Sequence, residues 1–418
     1  MSTRQQYRPF EEDFKTERLQ NGLRILMQRT HSNVAYCGFA VDAGTRDETS
    51  GQEGLAHFIE HMLFKGTEKR KAWHILNRME NVGGDLNAFT NKEETVFYTA
   101  FLKEDFERAL ELLTDIVFYS VFPEKEIKKE REVVIDEFKS YLDSPSELIF
   151  DDFEGLIFPD HSLGKNILGT LDSIESFSRE SAMEFYHQHY HPENMVFFLQ
   201  GDFDEGKTLE LIKKRLSAVQ MPGVLVKDRK PVPQYQPKSQ RLHKKTHQAH
   251  VMTGCRCFSG SDKRESALFL LNNILGGPGM NSRLNVSLRE RKGLVYDVEA
   301  NATCYSDTGT FCIYLGCDKK DVSECLELVQ DELSQLWKES LSPRALLSAK
   351  KQFIGQIGVS SDNHENAILE MAKFYLHYDK TSTIQDAFEN IRSLDASSLK
   401  EAAELLFHKE NLSTLIYA

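Results

Sequence analysis

The chain lacks any apolar run long enough to cross a membrane: its longest, such as Met195 to Leu199, fall far short of the roughly 20 residues a spanning helix needs. Its first ten residues, Met-Ser-Thr-Arg-Gln-Gln-Tyr-Arg-Pro-Phe, hold no apolar core of the secretory type. They also lack the Arg- and Ser-rich, acid-poor character of an organelle presequence, so a cytoplasmic location is the expectation. Zinc-ribbon spacing is missing too. Of seven cysteines, six follow residue 250; Cys255 and Cys257 form only C-x-C, and Cys304, Cys312, Cys317 and Cys325 give no C-x-x-C pair. Buried, reduced thiols are the reading. Nor is there an excess of positive charge. Lys and Arg number 51 against 64 Asp and Glu, a formal −13, which disfavours nucleic acid and anionic membranes as partners and is compatible with cationic or neutral peptides.

What is present is length and repetition. At 418 residues the chain exceeds one compact core and suits two domains of about 200 residues each. Tyr190-His-Pro-Glu-Asn-Met195 recurs as Phe407-His-Lys-Glu-Asn-Leu412, each copy after a helical pattern and before an apolar strand. Phe-Pro-Glu-Lys-Glu-Ile from Phe122 pairs with Ser-Pro-Arg-Ala-Leu-Leu from Ser342, a Pro opening a helix in both, and Gly54 to Leu63 pairs loosely with Ser266 to Leu275. An ancient duplication accounts for this. Between the halves, Met221 to Gln240 carries Pro222, Pro231, Pro233 and Pro237, which suits an extended linker. The division expected is residues 1–222, a linker 223–240, and residues 241–418.

Within the first half, Arg24 to Met27 and Ala35 to Asp42 read as strands, with helices following around 53–65 and 70–82. A strand around 94–102 precedes helices around 103–118 and 124–142. Short strands mixed with helices predict an α+β fold whose sheets are mostly antiparallel.

The chemistry centres on Gly54-Leu-Ala-His-Phe-Ile-Glu-His-Met-Leu-Phe-Lys-Gly-Thr67. His57 and His61 are one helical turn apart on one face, where two imidazoles can grip a zinc ion, and Glu60 shares that face within reach of an activated water. This is H-x-x-E-H, the inverse of the commoner H-E-x-x-H. Isolated copies are often polar helix surface. Here Ala56, Phe58, Ile59, Met62, Leu63 and Phe64 make the helix apolar and so buried, and buried His and Glu need partners. Catalytic zinc keeps three protein ligands. The helix Glu130-Arg-Glu-Val-Val-Ile-Asp-Glu137 offers Glu130 and Glu137, seven apart and nearly on one face, and spacing does not choose between them. His187, His189 and His191 alternate as if on a strand, but the pattern before them is helical and they read as surface or packing residues.

Gly44-Thr-Arg-Asp-Glu48 together with Gly54 to Thr67 closely resembles the insulinase/pitrilysin family of zinc peptidases, in particular the processing-peptidase β-subunit type and its bacterial relatives. The likeness continues through Gly83-Gly-Asp-Leu-Asn-Ala-Phe-Thr90, Glu130 to Glu137 and Asp143-Ser-Pro145 and covers nearly the whole chain. The resemblance implies one Zn²⁺ per chain on His57, His61 and Glu137, with Glu60 as general base and Glu130 orienting a ligand. It implies two homologous α+β halves facing one another as a clam shell around a chamber, the first catalytic and the second not. Asn87, Ala88, Phe89 and Thr90 resemble the edge strand on which a substrate backbone pairs, and Gly276 to Leu284 a loop near the chamber. Arg289 and Tyr296 resemble residues supporting substrate and oxyanion from the opposite wall. In the second half Phe269, Asn272 and Asn273 stand where His57, Glu60 and His61 stand in the first, and Lys350 and Ile357 where Glu130 and Glu137 stand, so one metal site is expected. The implied activity is a zinc metalloendopeptidase acting on unfolded peptides or presequences, the alternative a non-catalytic peptide-binding subunit. The implied assembly is a homodimer, or a heterodimer with a homologous subunit.

Overall fold

Strands in this chain fall into two kinds by sequence. Runs apolar on every residue, such as Met195 to Leu199, can only be covered on both faces, whereas those with polar positions sit at edges. The computed structural model, which describes residues 14–418, arranges them accordingly. The first sheet contains β1 (Phe14–Arg18), β2 (Arg24–Arg29), β3 (Val34–Val41), β4 (Asp85–Thr90), β5 (Thr95–Leu102) and β6 (Met195–Gly201), in the order β1-β2-β6-β3-β5-β4. Its pairings are antiparallel except β2 with β6. Every residue of the central β6 is buried, and β4, intermediate along most of its length, is an edge.

The second sheet contains β7 (Ser239–Leu242), β8 (Ala249–Cys257), β9 (Val295–Cys304), β10 (Gly309–Cys317) and β11 (Ser413–Tyr417), in the order β7-β11-β8-β10-β9, antiparallel except β7 with β11. The fold is α+β with two similar halves, as expected. The repeat is visible in three dimensions. Helix α1 (Leu55–Leu63) corresponds to the helix Glu265–Gly276, and β6 to β11. Next come α2 (Ala72–Glu80), α3 (Phe106–Phe118) and α4 (Glu124–Leu142), the last corresponding to the helix Pro343–Ser360. Residues 219–238 form neither helix nor strand. Among the described residues no helix is long and apolar enough to cross a membrane.

Local patterning did not reveal an exchange of helices between the halves. One face of the first sheet packs on its own helices, Phe39, Phe97 and Phe197 meeting Phe58, Leu113 and Tyr186 in one core. The other face is covered by the helix His364–Tyr378 of the second half, whose Ile368, Leu369, Ala372 and Leu376 lie against Leu26, Ala40, Val96 and Phe198. Reciprocally, α5 (Pro145–Ile157) of the first half covers the second sheet, Ile149, Phe153 and Ile157 packing on Met252, Tyr314 and Leu415. Ion pairs lock the same junction: buried Arg46 reaches Glu93 at 2.6 Å and Asp307 at 2.7 Å, and Arg229, from the connecting segment, pairs with Asp42 and Asp47 at 2.9 and 2.8 Å. The halves face each other as a clam shell. The cleft between them, about 600 Å³, is lined by the chain just past β4 (Asn91 to Glu94) and the end of β9 (Ala302 to Cys304).

Candidate metal centre

The two histidines are displayed by a helix that is held at its start. Gly54 takes φ 90°, a left-handed conformation, and a Cβ there would lie 2.4 Å from the Leu168 carbonyl oxygen, so only glycine fits. Glu48 then caps α1, its two carboxyl oxygens accepting from Gly54 N at 2.9 Å and Ala56 N at 2.8 Å, which satisfies two of the N–H groups a helix start leaves unpaired. Leu55, Ala56, Phe58, Ile59, Met62 and Leu63 are fully buried. Burying that stripe leaves His57, Glu60 and His61 on the remaining face, turned toward α4.

Helix α4 presents two carboxylates, Glu130 and Glu137, to opposite nitrogens of His61, and Glu137 to His57 as well. Glu137 lies with one oxygen 3.8 Å from His57 Nε2 and the other 3.8 Å from His61 Nε2. Glu130, one turn pair earlier, is buried and accepts from His61 Nδ1 at 2.9 Å, while Lys65 Nζ lies 2.7 Å from its other oxygen. Ligand atoms of His57, His61 and Glu137 all fall within 4.8 Å of one another, and this is the one such group of three found among the described residues. Glu60 sits beside them, its Oε2 accepting from Thr90 Oγ1 at 2.6 Å.

The electrostatics suit a cation. Burial, assisted by neighbouring His61, pushes the His57 imidazole down to about 3, so it is neutral with a lone pair to give. Its Nδ1 is buried without a hydrogen-bond partner. Burial would lower His61 too, but its hydrogen bond to Glu130 and the carboxylates of Glu60, Glu130 and Glu137 outweigh it and raise that imidazole. Burial raises Glu60, with Glu137 adding to the effect against the opposing Thr90 hydrogen bond and His61. Burial also opposes ionisation of Glu130, yet His61 and Lys65 bring it below the ordinary carboxylate range. With Glu130 already paired to Lys65, the carboxylates of Glu60 and Glu137 beside the neutral His57 are the groups left to meet a divalent ion. Tetrahedral zinc bonds of about 2.0–2.1 Å need donors about 3.4 Å apart, so the present separations require adjustments of only a fraction of an ångström per side chain. The donor set fits zinc.

Other expected residues lie where their elements put them. Asn87, Ala88, Phe89 and Thr90 are on β4, which pairs only with β5, so its outer edge carries no strand among the described residues. Asn87 Nδ2 donates to Asp85 at 2.9 Å. Arg289 and Tyr296 do not join the cluster within this chain. Tyr296 is exposed and donates to Asp318 Oδ1 at 3.0 Å, and the exposed Arg289 side chain makes no hydrogen bond or ion pair among the described residues. Tyr296 lies near the far end of β9, separated from Cys304 at the junction by about 26 Å of extended chain. The loop after Gly276 packs on the helix Pro343–Ser360 through paired Asn281–Gln352 amide bonds of 3.0 and 3.1 Å. His187 and His189 end the helix Arg179–His189, where His189 packs on Phe185 and His191 bonds the His187 carbonyl at 2.8 Å. Sequence reasoning assigned no role to Lys65 or Glu48. Lys65 is four residues past His61 and so on the same helical face, a signal that could have pointed to Glu130.

Two imidazoles and a carboxylate converge from two helices, with a further carboxylate beside them, as a cluster that could hold a metal ion in a duplicated α+β fold. The family model described as Insulinase (Peptidase family M16) matches residues 24–171, and that described as Peptidase M16 inactive domain matches residues 176–353. A Bacillus subtilis protein named as an uncharacterized zinc protease is 32% identical over 399 residues, covering 95% of this chain and 96% of its own. One of the same description from Rickettsia bellii is 31% identical over 413 residues, covering 97% and 98%. The chain belongs to the insulinase family of zinc peptidases, M16. The solved structure of a protease from Helicobacter pylori superposes with a TM-score of 0.86 at 23% identity over 97% of this chain and 99% of that one. One from Pseudomonas fluorescens, titled peptidase M16 inactive domain, gives 0.89 at 20% identity over 97% and 98%. At such identities these two show the fold alone.

Proposed function

We propose that this chain is a zinc metalloendopeptidase acting on unfolded peptides, with His57, His61 and Glu137 as the ligands of one zinc ion and Glu60 as general base. The observation that carries this reading is the convergence of those three donors, with the Glu60 carboxylate beside them, next to an unpaired sheet edge. Zinc held there supplies Lewis acidity, polarising a carbonyl and acidifying water. The protein's residues do the rest. A peptide adds to the outer edge of β4 by main-chain hydrogen bonds, which fixes the backbone at Asn87 to Thr90 whatever the side chains. Glu60, raised by burial toward the working pH, takes the proton from the attacking water and delivers it to the departing amine. Glu130 holds His61 Nδ1–H, fixing the tautomer that leaves Nε2 free.

Tyr296 stands near the far end of β9 and Arg289 on the helical turn Asn285–Glu290 just before that strand, and we assign both to the site of a second copy in a homodimer, where a guanidinium and a phenol would meet the oxyanion from the opposite wall. Relatives named zinc proteases support the hydrolase class. The deciding experiment measures zinc content and digestion of a peptide library by wild type and Glu60→Gln. Wild type should hold one zinc and cut peptides until chelated, and Glu60→Gln should retain zinc and lose nearly all turnover. A wild type that binds peptide but never cuts it would be a non-catalytic binding subunit, and a fully active Glu60→Gln would remove Glu60 from this role.

A further inference from the structure

A buried polar chain runs behind Glu60. Thr90 Oγ1 donates to Glu60 Oε2 at 2.6 Å and lies 3.4 Å from Thr95 Oγ1, which donates to the Ala43 carbonyl at 2.9 Å. The fully buried Tyr190 adjoins this group, its hydroxyl directed at Thr95 but without a partner in good hydrogen-bonding geometry. An unsatisfied buried hydroxyl is costly, so its retention calls for a reason.

The second half of the chain serves as an internal control. Thr90 is the register partner of Thr95 where β4 meets β5, and Cys304 is the register partner of Gly309 where β9 meets β10. Cys304 and Gly309 thus stand where Thr90 and Thr95 stand, Asn272 stands for Glu60, and Phe407 stands for Tyr190 in the repeated Tyr190-His-Pro-Glu-Asn and Phe407-His-Lys-Glu-Asn segments. The same hairpin on the same kind of helix folds without any of the four groups. They occur together only in the half with the metal donors, so the fold does not require them.

We infer that Thr90 is the positioning residue of the Glu60 carboxylate, its hydroxyl pinning Oε2 so that Oε1 faces the reacting water, with Thr95 and Tyr190 as its support. Because Thr90 also ends the strand that docks the peptide, the strand that orders the substrate orders the base as well. This rests on Glu60 being the general base.

The test compares wild type with Thr90→Val, a β-branched near-isostere that keeps the strand, and with Thr90→Ser, which keeps the hydroxyl. Thr90→Ala serves if the valine fails to fold. Measured are zinc content, kcat and KM on a peptide, and the Glu60 rotamer in crystal structures of each protein. Thr90→Val should hold as much zinc, keep KM within about twofold, and lose about 10- to 100-fold in kcat, with Glu60 displaced from its wild-type rotamer; Thr90→Ser should recover most of the loss. Tyr190→Phe should fold at least as stably as wild type and lose about fivefold in kcat. A Thr90→Val protein with undiminished kcat and an unmoved Glu60 overturns the inference. A wild type that cuts nothing, in which Thr90→Val still displaces Glu60, overturns the peptidase reading and leaves the positioning in place.

Discussion

Replacing Glu130 by Gln keeps the shape of a side chain that is never expected to touch the metal, so its effect measures how much of the site is made behind the ligands. Glu130 is buried, and its two oxygens face two donors, His61 Nδ1 at 2.9 Å and Lys65 Nζ at 2.7 Å. A carboxylate satisfies both. An amide has one acceptor oxygen and one donor NH₂, so either His61 or Lys65 must face a donor. Lys65 is partly exposed and can swing to water, so the amide oxygen goes to His61 and the lost element is the charge that raises that imidazole's basicity. Partners of this kind are worth about 10- to 100-fold in metal affinity or activity. At about 1.4 kcal/mol per decade this is roughly 1.4–2.8 kcal/mol. Zinc affinity measured by competition with a chromophoric chelator should fall by that factor in Glu130→Gln, and by more in Glu137→Gln, which replaces an anionic ligand oxygen by a weak neutral amide one. An affinity for Glu130→Gln within twofold of wild type would refute the argument, because it would mean that the hydrogen bond to His61 neither orients nor strengthens the ligand.

Three further outcomes follow from the same geometry. In the metal-free protein His57 is held near 3 against an unfolded value near 6.5, so the unfolded chain takes up a proton the fold refuses; stability from this group is full above about 6.5 and falls on acidification by up to about 1.4 kcal/mol per pH unit. His61 is raised, so its contribution is full below about 6.5 and is lost as pH rises through its folded value; thermal melting of the apo protein should peak between these limbs, and His57→Phe should flatten the acid one. Mixing two inactive variants, Glu60→Gln and Arg289→Ala, should restore about a quarter of wild-type activity if sites are shared between copies, since half the dimers are mixed and each then has one intact site; no recovery after subunit exchange would confine each site to one chain. Arg46→Met takes from Glu93 its closest cation, leaving it Arg229 at 3.6 Å and the two Ser306 donors, and should cost about 3 kcal/mol in urea denaturation, a loss under 1 kcal/mol showing that the buried pair is dispensable.

What could be read without coordinates was what local geometry dictates. His57, Glu60 and His61 share a face because helical spacing leaves no other possibility, and α4 opens at Glu124 because Pro123 precedes it. The repeat was legible for the same reason, being local pattern occurring twice. The choice between Glu130 and Glu137 was not, since both lie on one face of α4; only the family resemblance favoured Glu137. They are about 10.5 Å apart along the axis, and only the register of α4 against α1 decides that one meets Nδ1 of His61 while the other spans both Nε2 atoms. The helix exchange was hidden because an amphipathic helix such as His364–Tyr378 looks the same whichever sheet it covers. That exchange bears on mechanism. Each half is braced by a helix of the other and by Arg46 and Arg229, so opening one chain like a hinge would expose both cores at once. Admitting a peptide by parting the halves would therefore have to break both of these helix-to-sheet contacts and the Arg46–Asp307 pair together.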